Sequence, residues 1–218
     1  QDKIDGYQYF NRFLAQRLKA TADGSTIKAV LTTEDATERF NGQVVGFEMN
    51  SSKNANGVDD TAINFKNGAK IIADRTDAGT GAIGAFINYG EVNIDATSKI
   101  EVEKENNVVN KQAVGVYAVN GSTVNNEGEI NVGGEGSIGV LGISYRKDSN
   151  GVLKRNEFGT KPNAGDVGVV NKGKIELDGK KAVGIYIENN DSNTTASHTI
   201  EATNDTNGTI NMSGQKAI

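Results

Sequence analysis

Residues 113–132 read AVGVYAVNGSTVNNEGEINV, and they hold two short units that recur along the chain. The first is small–aliphatic–Gly–aliphatic–bulky, here Ala113-Val114-Gly115-Val116-Tyr117. It returns at Ala82–Phe86, Ser137–Leu141 and Ala182–Tyr186, with a degenerate earlier copy at Val44–Phe47. The second is Asn-x-Gly-x-aliphatic-x-aliphatic, here Asn126–Val132. It returns at Asn88–Ile94, Asn171–Leu177 and, shortened, Asn207–Met212. Two units alternating in a fixed order mark a solenoid, in which each turn buries its apolar residues only against the next turn.

Spacing supports this. Gly115 and Gly139 are 24 residues apart with nothing inserted. Gly139 and Gly184 are 45 apart, and the charged stretch 145–164 supplies 20 of those. A turn of about 24 residues, with surface insertions at 51–60, 103–110, 145–164 and 188–199, accounts for the whole series. Within the second unit apolar and polar residues alternate, so Ile130 and Val132 point inward from a half-buried strand. Successive copies run in one chain direction, which predicts an inner row of Val92, Ile130, Ile175 and Ile210. In the first unit the same alternation puts Val114 and Val116 inside and Gly115 and Tyr117 outside. Phe86, Tyr117 and Tyr186 would then form an external aromatic ladder. The expected fold is all-β, a right-handed parallel β-helix occupying residues 25–218.

The N-terminus reads differently. Residues 4–20, IDGYQYFNRFLAQRLKA, place Tyr7, Phe10, Phe13, Leu14 and Leu18 at helical spacing. Asp5 is a reasonable N-cap and Gly24 follows the end. The reading is an amphipathic helix within 1–24 that covers the open end of the solenoid, where unpaired strand groups would otherwise invite aggregation. At the other end, Gly214–Ile218 repeats Gly179–Val183 and stops mid-unit, as expected of a fragment of a longer repetitive protein.

Composition narrows the function classes. The 218 residues carry a net charge of −5, with 27 Gly, 26 Asn, 1 Pro, 1 His and 0 Cys. Mild overall acidity argues against nucleic acid as the main partner. No run of about 18 apolar residues exists to insert in a bilayer. Absence of cysteine excludes a disulfide framework and thiolate metal sites. At 36% hydrophobic, the chain has enough apolar residues to fold.

Motifs that could carry chemistry are few. Gly79–Gly84 and Gly134–Gly139 both match G-x-G-x-x-G. A dinucleotide site needs that loop to open a helix, whereas both stretches lead into β-branched residues at the same phase of the repeat. Gly133–Gly136 has no tandem array to make a calcium repeat. His198 sits in a polar segment without a fixed partner. Asp59-Asp60, Glu101, Glu103, Glu105 and Asp148 read as solvated acids on outward faces. Asn120, Asn193 and Asn207 begin N-x-[ST] sequons of the kind an Asn- and Thr-rich chain yields by chance. No metal, cofactor or catalytic group is expected. The candidate site is the insertion 145–164, YRKDSNGVLKRNEFGTKPNA, which is locally basic and aromatic on an acidic protein. Long loops of this kind are usually functional, and Arg with aromatics is favoured at interfaces. Its binding residues would be Tyr145, Arg146, Lys147, Leu153, Lys154, Arg155, Phe158 and Lys161, with a protruding hairpin near Val152-Leu153 and Phe158.

The paired units "AVGVYAVNGSTVNNEGEINV" and "AVGIY…NKGKIEL" resemble the passenger domains of type V autotransporters, above all the large fusobacterial outer-membrane adhesins. The resemblance covers residues 82–218 well and 40–80 weakly. It implies an extracellular position on a Gram-negative cell, attachment through a C-terminal membrane barrel, and adhesion to host cells or other bacteria. The partner would be a surface protein or glycan, met by a monomeric passenger. Two other readings stay open: a β-helix polysaccharide lyase or hydrolase, and a purely structural stalk.

Overall fold

The computed structural model describes residues 12–15, 19–31, 44–51, 62–75, 81–88, 90–104, 112–119, 122–144, 146–147, 153–154, 167–189 and 200–214. Among them there is no helix. The chain instead winds through six rungs of three strands. The first rung is β1 (Arg12–Ala15), β2 (Lys19–Asp23) and β3 (Thr26–Leu31). The second is β4 (Val45–Ser51), β5 (Ala62–Lys66) and β6 (Lys70–Arg75). In the third, β7 (Ile83–Asn88) leads to β8 (Glu91–Ile94) and β9 (Lys99–Val102). The fourth, free of long insertions, is β10 (Val114–Val119), β11 (Thr123–Asn126) and β12 (Glu129–Val132). In the fifth, β13 (Ile138–Ile143) is followed by a two-stranded excursion, β14 (Arg146–Lys147) and β15 (Leu153–Lys154), before β16 (Val167–Asn171) and β17 (Lys174–Leu177). The last is β18 (Val183–Glu188), β19 (Ile200–Asn204) and β20 (Thr209–Met212).

Like strands stack into three six-stranded sheets. Sheet A is β1-β4-β7-β10-β13-β18, sheet B is β2-β5-β8-β11-β16-β19, and sheet C is β3-β6-β9-β12-β17-β20. All the pairings within them are parallel. This is the arrangement of a parallel β-helix, a repeat protein whose rungs lie about 4.8 Å apart.

The apolar core runs down the middle. Sheet C supplies an inner row of Ile27, Ile71, Ile100, Ile130, Ile175 and Ile210, each the register partner of the next. Sheet B supplies Ile63, Val92, Val124 and Val169. The predicted row through Val92 and Ile130 is therefore corrected: Val92 belongs to sheet B and pairs with Val124. The Asn-x-Gly copy at 88–94 rounds the A–B corner, while those at 126–132 and 171–177 round the B–C corner. Fully burying one such Ile contributes about 1.5–3 kcal/mol.

Sheet A departs from simple alternation. Its register partners run Val114–Ile138 and Val116–Val140, passing over the glycines between them. A Cβ on these glycines would strike the isoleucine of the same rung in sheet C: Ile71 against Gly46, Ile100 against Gly84, Ile130 against Gly115, Ile175 against Gly139 and Ile210 against Gly184. The glycines thus face inward, contrary to the expected outward Gly115. Val116 and Ala118 join the central core, whereas Ile83, Phe86, Val114 and Val119 form a second cluster on the outer face. Val114 is outside, not inside. Tyr117 is outside as predicted and meets Phe86 edge to face, with ring centroids 5.3 Å apart. The aromatic ladder stops there, since Leu141 separates Tyr117 from Tyr186.

The expected N-terminal helix is also corrected where it is described. Arg12–Ala15 and Lys19–Asp23 are strands, paired with β4 and β5. Tyr7, Phe10, Leu18 and the rest of 4–11 and 16–18 lie outside the described residues. Helical spacing loses to tertiary pairing here, because stacking on the next rung satisfies the backbone groups that a helix would satisfy internally.

Candidate functional site

Connections between rungs are unequal. The A-to-B connection is 89–90 in the third rung and 120–122 in the fourth, but 52–61 in the second, 144–166 in the fifth and 189–199 in the sixth. Three of the four expected insertions therefore leave the solenoid at the same corner. The fourth, 103–110, leaves between sheets C and A, with Glu103 and Lys104 described. The expected limits shift slightly, since Ser51 still belongs to β4 and Glu188 to β18.

Within 144–166 the backbone doubles back. Arg146 lies opposite Lys154, and Lys147 opposite Leu153, in an antiparallel pair. Four of the predicted binding residues are thus brought together, and the hairpin starts earlier than expected, at Arg146. The connection 148–152 contains Asn150-Gly151, a local hairpin signal in the sequence. Tyr145, Arg155, Phe158 and Lys161 lie outside the described residues, as do Asp59, Asp60, Glu105, Asp148 and His198.

Sequence reasoning missed a second feature, on sheet B. Its outward column runs Thr21, Asn64, Asn93, Asn125, Val170 and Thr203. Here the amides bond to one another: Asn93 Nδ2 donates to Asn64 Oδ1 at 3.0 Å, and Asn125 Nδ2 to Asn93 Oδ1 at 2.8 Å. Beside them, at the B–C corner, lies a charged column that includes Lys66, Asp95, Glu127 and Lys172. Together they border an open groove of about 480 Å³ that runs along the axis from Thr21 to Lys172. A second amide ladder lies on the inner side of the sheet, where Asn126 Nδ2 donates to Asn171 Oδ1 and Asn171 Nδ2 to Asn204 Oδ1, both at 2.7 Å. Asn126 Oδ1 is buried with no partner, because the position below it in the stack is Ile94.

Asp95 holds the groove's edge. It accepts hydrogen bonds from the Asn67 amide at 2.7 Å, the Thr97 amide at 3.0 Å and Thr97 Oγ1 at 2.9 Å. Burial alone would raise its pKa, but these bonds and one from Ser98 outweigh it and bring the carboxyl down to about 2. A carboxylate held there has no proton to give near neutral pH. Lys172 lies 3.8 Å from Glu127, and Lys66 3.2 Å from Asp23. Where solvated acids are expected on an outward strand face, Glu101 of sheet C is instead ion-paired and largely covered, with Lys70 at 2.6 Å and Lys99 at 3.1 Å.

Glu103 also breaks that expectation. It is buried, with φ of 55°, and both its carboxylate oxygens accept the Arg75 amide at 3.2 Å while Oε1 accepts the Ala82 amide at 3.0 Å. It ties the start of one C-to-A connection to the preceding one, so its role is bracing. Strand alternation placed it outside because the strand ends at Val102, one residue earlier. Among the described residues no group of three His, Cys, Asp or Glu is placed to hold a metal ion.

The fold thus defines the class, a parallel β-helix repeat protein with corner insertions and an amide-lined groove. Comparison with protein-family models, curated proteins and solved structures gives no match.

Proposed function

We propose that this chain is part of the passenger of a surface-exposed bacterial adhesin of the autotransporter kind. In this reading it is an extracellular, monomeric rod, outer-membrane attached through a barrel elsewhere in the protein. It attaches the cell to a protein or glycan on host cells or other bacteria and performs no catalysis. The β-helix is right-handed, following the general rule for crossovers between parallel strands. The observation that carries the reading is the shared corner: insertions at 52–61, 144–166 and 189–199 leave one edge while the strands on either side keep their register. A rod of stacked rungs presents such loops at fixed spacing, so weak contacts add through avidity. Tyr145, Arg146, Lys147, Leu153, Lys154, Arg155, Phe158 and Lys161 would make the contacts of the longest insertion. Its local excess of Lys and Arg on a chain of net charge −5 suits an acidic receptor surface.

The test replaces 145–164 with a short Gly/Ser link. Cell attachment should fall while the melting temperature holds, since β13 and β16 keep their partners in neighbouring rungs. Unchanged attachment would point to a stalk. Release of unsaturated or reducing sugar from a glycan panel would point to a lyase or hydrolase.

A further inference from the structure

The groove on sheet B lies on the scaffold, apart from the insertion. Its strands β5, β8 and β11 each have a hydrogen-bonded neighbour on both sides. Their backbone groups are therefore used, and an extended peptide, which is captured by adding to a sheet edge, finds no edge here. What remains is side-chain chemistry: amides in a row, with two ammonium and two carboxylate groups alongside. Asn93, in the middle of the ladder, spends bonds on both neighbours, while Asn64 and Asn125 spend one each. Among the described residues Asn64 Nδ2 and Asn125 Oδ1, the ladder's two ends, have no partner. Amides and carboxylates at fixed spacing suit hydroxyl and acetamido groups, which both donate and accept. Lining residues come from five successive rungs, so the groove extends about 19 Å along the axis. The charges of Lys66, Lys172, Asp95 and Glu127 sum to zero, which favours a neutral ligand over a polyanion.

We infer that this groove binds a linear, neutral glycan bearing N-acetyl groups, laid parallel to the solenoid axis with its sugars in step with the rungs. Acetamido groups continue the Asn64–Asn93–Asn125 ladder at its open ends, and the flanking Lys and acid side chains take ring hydroxyls. The site goes beyond the adhesin reading, because it needs neither the insertion nor a membrane anchor.

Calorimetric titration of the full chain with a graded series of β-1,4-linked N-acetylglucosamine oligomers tests it. Affinity should rise with oligomer length and level off once the oligomer spans the groove. Asn93→Leu, which cuts the ladder on an outer face, should weaken binding by at least about tenfold; Asn125→Thr, milder for folding, should weaken it less. The variant lacking 145–164 should bind as the parent does, which separates this site from the insertion. No binding by any oligomer, equal binding by Asn93→Leu, or binding of unrelated peptides in place of the sugars would each overturn the proposal.

Discussion

A Cβ on Gly115 would lie 2.5 Å from the Gly139 carbonyl oxygen and would also overlap Ile130 Cγ2. In the fourth to sixth rungs the two recurring units are thus halves of one contact, the glycine of sheet A making room for the isoleucine of sheet C in the same rung. Gly115→Ala should cost roughly 1–3 kcal/mol through overpacking, read as a lower urea midpoint. Pairing it with Ile130→Val should restore only part of that, because the carbonyl clash is backbone. Gly168→Ala is the control. Its Cβ would meet nothing nearer than Thr123 Cγ2 at 3.7 Å, so its midpoint should hold or rise slightly. The recurrence of this glycine was legible in the sequence, but its direction was not. Strict alternation counted outward from Val116 assigns it to solvent, and only the neighbouring sheet shows why two successive residues turn inward.

At the scale of elements, corners decide what local pattern cannot. Asn88–Ile94 and Asn126–Val132 share a motif, yet one enters sheet B and the other sheet C. A tight bend followed by a half-buried strand looks alike at either corner, so the repeat was legible and its phase was not. In the third rung the B–C corner is built from Asp95, Thr97 and Ser98. Asp95 joins that corner to the preceding one through the Asn67 amide. Its folded pKa of about 2 lies below the ordinary 3.8. The stabilisation is therefore complete above about pH 4 and is lost as pH falls toward 2. Asp95→Asn should be less stable than the parent near neutrality, with a gap that closes over that acid window in urea midpoints measured against pH. A gap that stays constant with pH would mean that the charge plays no part. Glu103, Asn64, Asn93 and Asn125 were legible only as polar residues in strands. Their roles come from partners about a rung away, between 21 and 32 residues off in sequence.

For the whole molecule, sequence distance and spatial distance come apart. The insertions change how many residues separate two rungs and leave the stacking untouched, which is why a period of about 24 residues could be read through gaps of 31 to 45. The binding partner is not readable in the same way, because the recurring residues are those that build the scaffold. Lys70 and Thr209 stand on the outer face of sheet C, in the second and sixth rungs of one register column. The chain has no native cysteine, so spin labels can be attached at these two positions alone and their separation measured by pulsed electron resonance. Four rungs of stacking predict a single narrow distribution near 20 Å, despite the length of chain between them. A broad distribution, or one centred at twice that distance, would contradict the stacked β-helix.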